Sequence, residues 1–412
     1  MDSGRILIRD AAVLDAEAGE LVEGQAVLVD GDRIVEVGPT GTVRGGDGTV
    51  LEAAGMTVMP GLIDAHVHVT AATANLADLE EWPPTYVTAR AAGILRGMLD
   101  RGFTTVRDVA GADFGLATAV AEGLLPGPRI VFGGRALSQT GGHGDPRPPG
   151  RALLDQHPAG SGMTVVADGV SEVRRAAREQ LRRGAHHVKV MLSGGVASPT
   201  DRVDSTQYSM DELRAIVEEA EAANRYVTGH AYTARAVNRG LEAGVGCIEH
   251  GNLMDESSLR LFQRTGAFYV PTLATYAALA QEGLEHGLPA DQHRKVFDVL
   301  DAGLRALELA HRAGLPIVYG TDLLGGMHRR QLSEFTLRSQ VQPAADVIRS
   351  ATTVAARLVR MEGQVGVVAP GALADLLVVD GDPLRRLEVL TDPGRHLRLV
   401  MKAGTIHCSS LP

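Results

Sequence analysis

Short apolar runs recur through the middle of the chain, and between them apolar residues return at helical spacing. Candidate strands occupy 61–68, 102–108, 128–133, 185–191, 225–230, 244–249, 267–271 and 316–321. The intervening helices are clearest at 88–100, 168–182, 210–223, 291–312 and 344–358. Within Met210-Asp-Glu-Leu-Arg-Ala-Ile-Val-Glu-Glu-Ala220, residues Leu213, Ile216, Val217 and Ala220 share one face, and Ser209 stands where an N-cap hydroxyl is needed. Eight strand–helix units in about 300 residues predict an α/β fold of the (β/α)8 TIM-barrel type over 60–358. A doubly wound sheet is the rival, but the glycine-rich phosphate loop that usually follows its first strand is missing.

The two ends follow another pattern. Arg5-Ile-Leu-Ile-Arg9 reads as a strand, and Gly24–Asp30 with Gly31–Val37 reads as a hairpin. The same texture returns at Gly371–Asp380, before a Gly-Asp-Pro turn, and at His396–Lys402. Strands at both termini around a different middle predict a small β-sandwich assembled from 1–59 and 359–412.

Six polar residues interrupt or close the apolar runs of the middle region: His66, His68, Lys189, His230, His250 and Asp322. They belong to predicted strands one, four, five, six and eight, whose C-terminal ends meet at one mouth only if the barrel closes. His66 and His68 are two apart, so on a strand both face the same side. Taken singly, each histidine can be a hydrogen-bonded core residue and Asp322 a helix cap. Taken together they read as a metal centre. Zn²⁺ suits this nitrogen and oxygen set best, with Mn²⁺, Co²⁺ and Fe²⁺ as alternatives. Lys189 stands in the apolar run Ala185-His-His-Val-Lys-Val-Met-Leu192, where an ammonium is costly to bury. It is either a snorkelling or salt-bridged lysine, or one carboxylated by CO₂ so that its carbamate oxygens bridge two metals.

These motifs resemble the amidohydrolase superfamily, in its imidazolonepropionase-like, Xaa-Pro and Xaa-Arg dipeptidase-like and ochratoxinase-like branch. The resemblance runs from Pro60-Gly-Leu-Ile-Asp-Ala-His-Val-His68 to Gly371-Ala-Leu-Ala-Asp375, and includes Leu137-Ser-Gln-Thr-Gly-Gly-His-Gly-Asp145 and Lys189-Val-Met-Leu-Ser-Gly-Gly-Val196. It implies two divalent ions, with His66, His68 and Asp322 on the more buried one. His230 and His250 would hold the second, and carboxylated Lys189 would bridge them. True imidazolonepropionases and deaminases generally lack the lysine, so the implied enzyme is a binuclear amidohydrolase. In it a metal-bridging hydroxide attacks the amide of a dipeptide, N-acyl amino acid or aryl amide, and Asp322 carries the proton to the leaving amine.

Other residues enter with two readings each. His143 sits in a glycine-rich loop and is either part of a flexible turn or a substrate contact. Tyr232, in Gly229-His-Ala-Tyr232, either packs a helix or donates its hydroxyl to the scissile carbonyl. Asp64 and Glu249 are candidates for fixing the tautomers of the ligand histidines, or for barrel packing. Arg107 and Asp108 either meet polar substrate groups or pair with each other. Arg202 is a candidate carboxylate clamp on a loop that otherwise reads as surface.

Composition narrows the partners. The formal net charge is −10 and no basic stretch offsets it, which argues against nucleic acid and leaves a small-molecule substrate. The arginines Arg174, Arg175, Arg182 and Arg183 alternate with Glu172 and Glu179 as on a solvated helix face. No apolar run reaches the length of a membrane span. Cys247 and Cys408 make no disulfide framework, so a cytoplasmic location is expected. A homo-oligomer is compatible with the sequence. Two alternatives keep the barrel: a lactone, carbamate or organophosphate ester hydrolase using the same centre, and a non-catalytic scaffold.

Overall fold

The computed structural model describes residues 4–152 and 160–411. The first strands form where apolar and polar residues alternate: β1 (Ile6–Asp15), β2 (Glu20–Asp30), β3 (Arg33–Pro39), β4 (Thr49–Glu52) and β5 (Thr57–Pro60). The middle supplies β6 (Leu62–Val67), β7 (Phe103–Asp108), β8 (Arg129–Phe132), β9 (Ala136–Ser138), β10 (Thr164–Val166), β11 (Val188–Met191), β12 (Val227–Thr233), β13 (Cys247–Leu253) and β14 (Phe268–Val270). The chain finishes with β15 (Leu376–Val379), β16 (Leu397–Lys402) and β17 (Thr405–Ser409).

Both termini join in one eight-stranded sheet, ordered β17-β16-β15-β5-β1-β2-β3, with β4 beside β1. The expected hairpin is present: Asp30 pairs with Arg33 across a two-residue turn, for which Gly31 adopts φ +60°. Successive side chains of a strand point to opposite faces. Val58, Leu376, Val378 and Leu399 therefore pack with Ile8 and Val27 into a core of the terminal module. Their neighbours Met59, Leu377, Val379 and Val400 pack on the central layer, against Leu95, Met98 and Phe103.

The central strands form two parallel sheets, β6-β7-β8 and β10-β9-β11-β12-β13-β14. Backbone hydrogen bonds tie them at both edges. The amide of His186 donates to Phe132 O at 2.8 Å, beside β8 and β11. At the other edge Val318 N donates to Tyr269 O at 2.8 Å, and Ala65 N donates to Tyr319 O at 2.8 Å. The expected eighth strand, 316–321, thus lies between β14 and β6, but it forms only an isolated bridge, Tyr269 with Ile317. Pro316 has no N–H to give, and the amides of Thr321 and Asp322 both turn to His66 O.

The expected helix at 168–182 runs Val170–Arg182, and that at 291–312 runs Ala290–Arg312. The 210–223 helix runs Met210–Ala222 and opens on a reciprocal capping box of Ser209 and Glu212. The 88–100 helix begins earlier, at Pro84, a residue suited to a first turn. The 344–358 helix is two helices, Ala344–Ser350 and Thr353–Leu358. It breaks because the carbonyls of Ser350 and Ala351 accept from Tyr319 N and Ile63 N, at 2.9 and 2.8 Å, and so cannot continue the helical ladder. No helix among the described residues is long and apolar enough to cross a membrane. Cys247 is buried, Cys408 exposed, and both are free.

Candidate metal centre

His66 and His68 leave the C-terminal end of β6 on one side, as their spacing requires, with ring centroids 5.3 Å apart. Asp322 faces them: its Oδ1 lies 3.4 Å from His66 Nε2 and 3.2 Å from His68 Nε2. These three donor atoms lie within 4.8 Å of one another, a group that could hold a metal ion. His250 stands 5.1 Å from His66 and 4.6 Å from His230, ring to ring. Lys189, only 2% exposed, opens on the same cavity, which measures about 310 Å³. All six residues line it.

Backbone conformation aims two of these side chains. His250 adopts φ +75° and Asp322 φ +53°. Non-glycine residues seldom occupy this left-handed region, and such outliers gather at functional sites. Thr272, at φ +49°, makes a third left-handed turn beside them.

Each histidine has one ring nitrogen engaged by the protein. His66 Nδ1 meets Glu249 Oε2 at 2.6 Å, His68 Nδ1 meets Ala110 O at 2.8 Å, and His250 Nδ1 meets Thr272 Oγ1 at 2.7 Å. For His230 the engaged atom is Nε2, 3.1 Å from Gly194 O. The other nitrogens of His66 and His68 turn to Asp322, while no hydrogen bond to another described residue engages those of His230 and His250; holding one nitrogen is the arrangement that orients metal-binding imidazoles.

The electrostatics follow from burial and from this geometry. Burial pushes the Asp322 carboxyl up, but the charge of His66 and hydrogen bonds from His66 and His68 outweigh it and hold Asp322 well below the usual carboxylate range. Burial lowers His230 and His250 well below their ordinary value, which keeps them neutral, as ligands must be. Burial also lowers the Lys189 amine, and no hydrogen bond or ion pair joins it to another described residue.

Of the two carboxylates proposed to fix histidine tautomers, Glu249 does so and Asp64 does not. Asp64 instead accepts from Thr321 Oγ1 at 2.6 Å, Gln331 Nε2 at 2.9 Å and the amide of His66. It locks the Asp322 turn onto β6. Arg107 and Asp108 neither pair nor reach the cavity. Arg107 donates to Glu249 Oε1 at 2.6 Å and Ala65 O at 2.5 Å, while Asp108 accepts from the amides of Val69 and Ala112. Arg202 is 82% exposed and forks onto Asp204, as a surface residue does.

His143 enters the cavity, its ring stacked on that of His230 with centroids 4.2 Å apart. Its Nδ1 lies 3.0 Å from Ser198 Oγ, and Ser198 Oγ in turn donates to Asp201. Tyr232 also lines the cavity and receives a hydrogen bond from Tyr276 Oη at 3.1 Å. Sequence reasoning missed Tyr276, Thr272 and Ser198. The first two stand in Thr272-Leu-Ala-Thr-Tyr276, directly after predicted strand seven, and position at the C-terminal end of a predicted strand was the available signal. The apolar wall comes from Met163, Met191, Val196, Leu279 and Leu324.

Comparison with known proteins agrees with this geometry. The amidohydrolase family model matches residues 57–406. Ochratoxinase of Aspergillus niger is 32% identical over 424 aligned residues, spanning 98% of this chain and 87% of that protein. A prolidase crystallised with N-methylphosphonate-L-proline superposes with a TM-score of 0.96 at 48% identity, covering 98% of this chain and 100% of its own. A Xaa-Pro dipeptidase with bound methionine gives 0.88 at 28% identity, covering 98% and 99%. The chain belongs to the amidohydrolase family, as a hydrolase acting on amide bonds.

Proposed function

We propose that the protein is a binuclear metal-dependent amidase of the dipeptidase type, which releases an amino acid from an N-acyl, dipeptide or aryl-amide substrate. One observation carries this reading: four histidines, each with one nitrogen engaged by the protein, surround one cavity together with Asp322 and Lys189. That donor set fits two divalent ions, zinc foremost. His66, His68 and Asp322 would hold one and His230 and His250 the other. Lys189, a buried amine lowered from its ordinary value, would bridge them after carboxylation by CO₂. When bound, such a pair supplies a water of lowered pKa and polarises the substrate carbonyl.

The chain's own residues do the rest. Asp322 accepts the proton of the attacking water and returns it to the leaving nitrogen. Tyr232, whose oxygen already accepts from Tyr276, keeps its own proton for the carbonyl oxygen as negative charge develops there. Burial pushes the Tyr232 hydroxyl upward, so it stays a donor across the working pH range. His143 contacts the substrate from the side of His230. The scaffold for this is read as a closed (β/α)8 barrel over 60–358, supported by backbone hydrogen bonds at both sheet edges. The terminal sheet of 1–59 and 359–412 is read as the sandwich module.

The 48% identical prolidase makes Xaa-Pro and N-acyl-proline compounds the first substrates to test. The ochratoxinase likeness adds aryl amides of amino acids. Metal-loaded protein assayed on both groups, on lactones and on phosphotriesters should turn over an amide fastest. Turnover confined to lactones or phosphotriesters would replace the substrate class, and no turnover at all would favour a scaffold.

A further inference from the structure

A second groove, of about 300 Å³, lies between the Pro84–Asp100 helix and the Gly325–Arg330 turn, and shares no lining residue with the metal cavity. Three guanidinium groups line it, from Arg90, Arg101 and Arg329, and no carboxylate does. Arg329 is ion-paired to Glu282. The other two have no carboxylate within ion-pair distance among the described residues. Arg90 donates to Tyr86 Oη at 3.1 Å and weakly to Ala72 O at 3.4 Å.

Arg101 is the more unusual of the two. It is partly buried, and its Nε and Nη2 both donate to one neutral oxygen, Gln331 Oε1, at 3.1 and 2.9 Å. Burial lowers it to about 10 in spite of the attraction of Asp64. A partly buried cation with no carboxylate at ion-pair distance leaves an arriving anion a charge-assisted contact to make.

The helix beside the groove is cut back to match. Gly93 and Gly97 stand four residues apart on its groove side, where glycine weakens a helix by about 1 kcal/mol relative to alanine. A Cβ at Gly93 would meet nothing within 4 Å, and one at Gly97 would meet only the mobile end of Arg101 at 3.1 Å. Internal packing therefore does not call for glycine at either place. The missing side chains leave that side of the groove open to a small ligand.

We propose that this groove binds a small oxyanion, of the phosphate or carboxylate class, between Arg90, Arg101 and Arg329. The location gives binding a consequence. The floor includes Ala72, Gly325 and His328. There Ala71 O accepts from His328 Nε2 at 3.1 Å and from Gly325 N at 2.9 Å, tying the loop after His68 to the loop after Asp322. An anion held across the groove braces the two loops that carry half of the metal centre. The site stands independently of the hydrolytic reading, and its test is a binding measurement.

Inorganic phosphate and malonate are titrated by calorimetry into the full-length, metal-loaded protein and into the variants Arg90→Gln and Gly93→Glu. Arg90 is exposed and Gly93 has open space around it, so both variants retain the fold. Saturable binding in the wild type, weakened about tenfold by Arg90→Gln and abolished by Gly93→Glu, is expected for the loss of one charge-assisted contact and for a carboxylate placed in the groove. Whichever anion binds more tightly identifies the class. Phosphate held at the metal centre would be indifferent to both substitutions, so equal affinity in all three proteins overturns the proposal, as does the absence of saturable binding for both anions.

Discussion

Glu249 takes donors from three different strands: His66 on β6, Arg107 on β7 and Thr228 on β12. Burial alone would raise its carboxyl, but Arg107 and His66 hold it well below the usual range. Glu249→Gln leaves Arg107 buried without its counter-charge, so a loss of about 3–5 kcal/mol in unfolding free energy is expected by denaturant titration. It also frees the His66 ring, and metal affinity should fall about 10–100-fold in a competition assay with a chelating dye. Tyr232→Phe should behave differently. Metal content and KM stay near wild type while kcat falls about a hundredfold, because the donor acts on developing charge. His328, buried below the second groove, sets an acid limit. Burial lowers it from 6.5 to about 4, so the unfolded chain binds its proton first. The stability it contributes is complete above pH 6.5 and is lost as pH falls toward 4, in total about 3 kcal/mol. His328→Asn should flatten the decline of Tm over that window, and an unchanged decline would remove His328 as its source. At this scale the residues that gather around the cavity were legible in the sequence because imidazoles and an aspartate stand out in apolar runs. Their partners were not, because Arg107 and Glu249 meet across the sheet interior at a separation of 142 positions.

Among the elements, the loop over the cavity is held by a residue with no motif to announce it. Lys295, on the Ala290–Arg312 helix, donates to Ser198 O at 2.9 Å and Asp201 O at 2.8 Å, and more weakly to Gly195 O at 3.3 Å. Those three carbonyls belong to the segment that carries Val196, Ala197 and Pro199 into the cavity wall and sets Ser198 against His143. Lys295→Met removes the clamp without touching the candidate metal ligands. KM is expected to rise about tenfold with metal stoichiometry unchanged, read by steady-state kinetics beside elemental analysis. A matching loss of metal would mean that the loop supports the centre itself. The periodic helices were readable within a few residues. The break at Ser350–Thr352 was not, because it arises from carbonyls accepting from residues far away in sequence, Tyr319 and Ile63. Strand eight was legible as an apolar run ending in Asp322, but its irregular pairing depends on neighbours that no local pattern encodes.

For the molecule as a whole, the terminal sheet and the central layer share one apolar interface, with Leu377 and Val400 packed on the side of Phe103. The alternation of the end segments made their strands legible. That these strands run as one continuous sheet was not legible, because register between the two chain ends is a tertiary property. Metal binding should couple to the stability of this whole assembly, since four of the six candidate ligands come from different central strands and Asp322 directly follows the 316–321 segment. Removing metal by chelation should lower Tm by several degrees, and restoring it should recover the loss. The most direct test of the central claim is the metal content of the purified protein after loading with zinc and bicarbonate and removal of free ion, measured by plasma mass spectrometry. About two ions per chain, falling when Lys189 is changed to alanine, is the result expected of a binuclear centre. No bound metal, or a content that Lys189→Ala leaves untouched at one ion per chain, would contradict it.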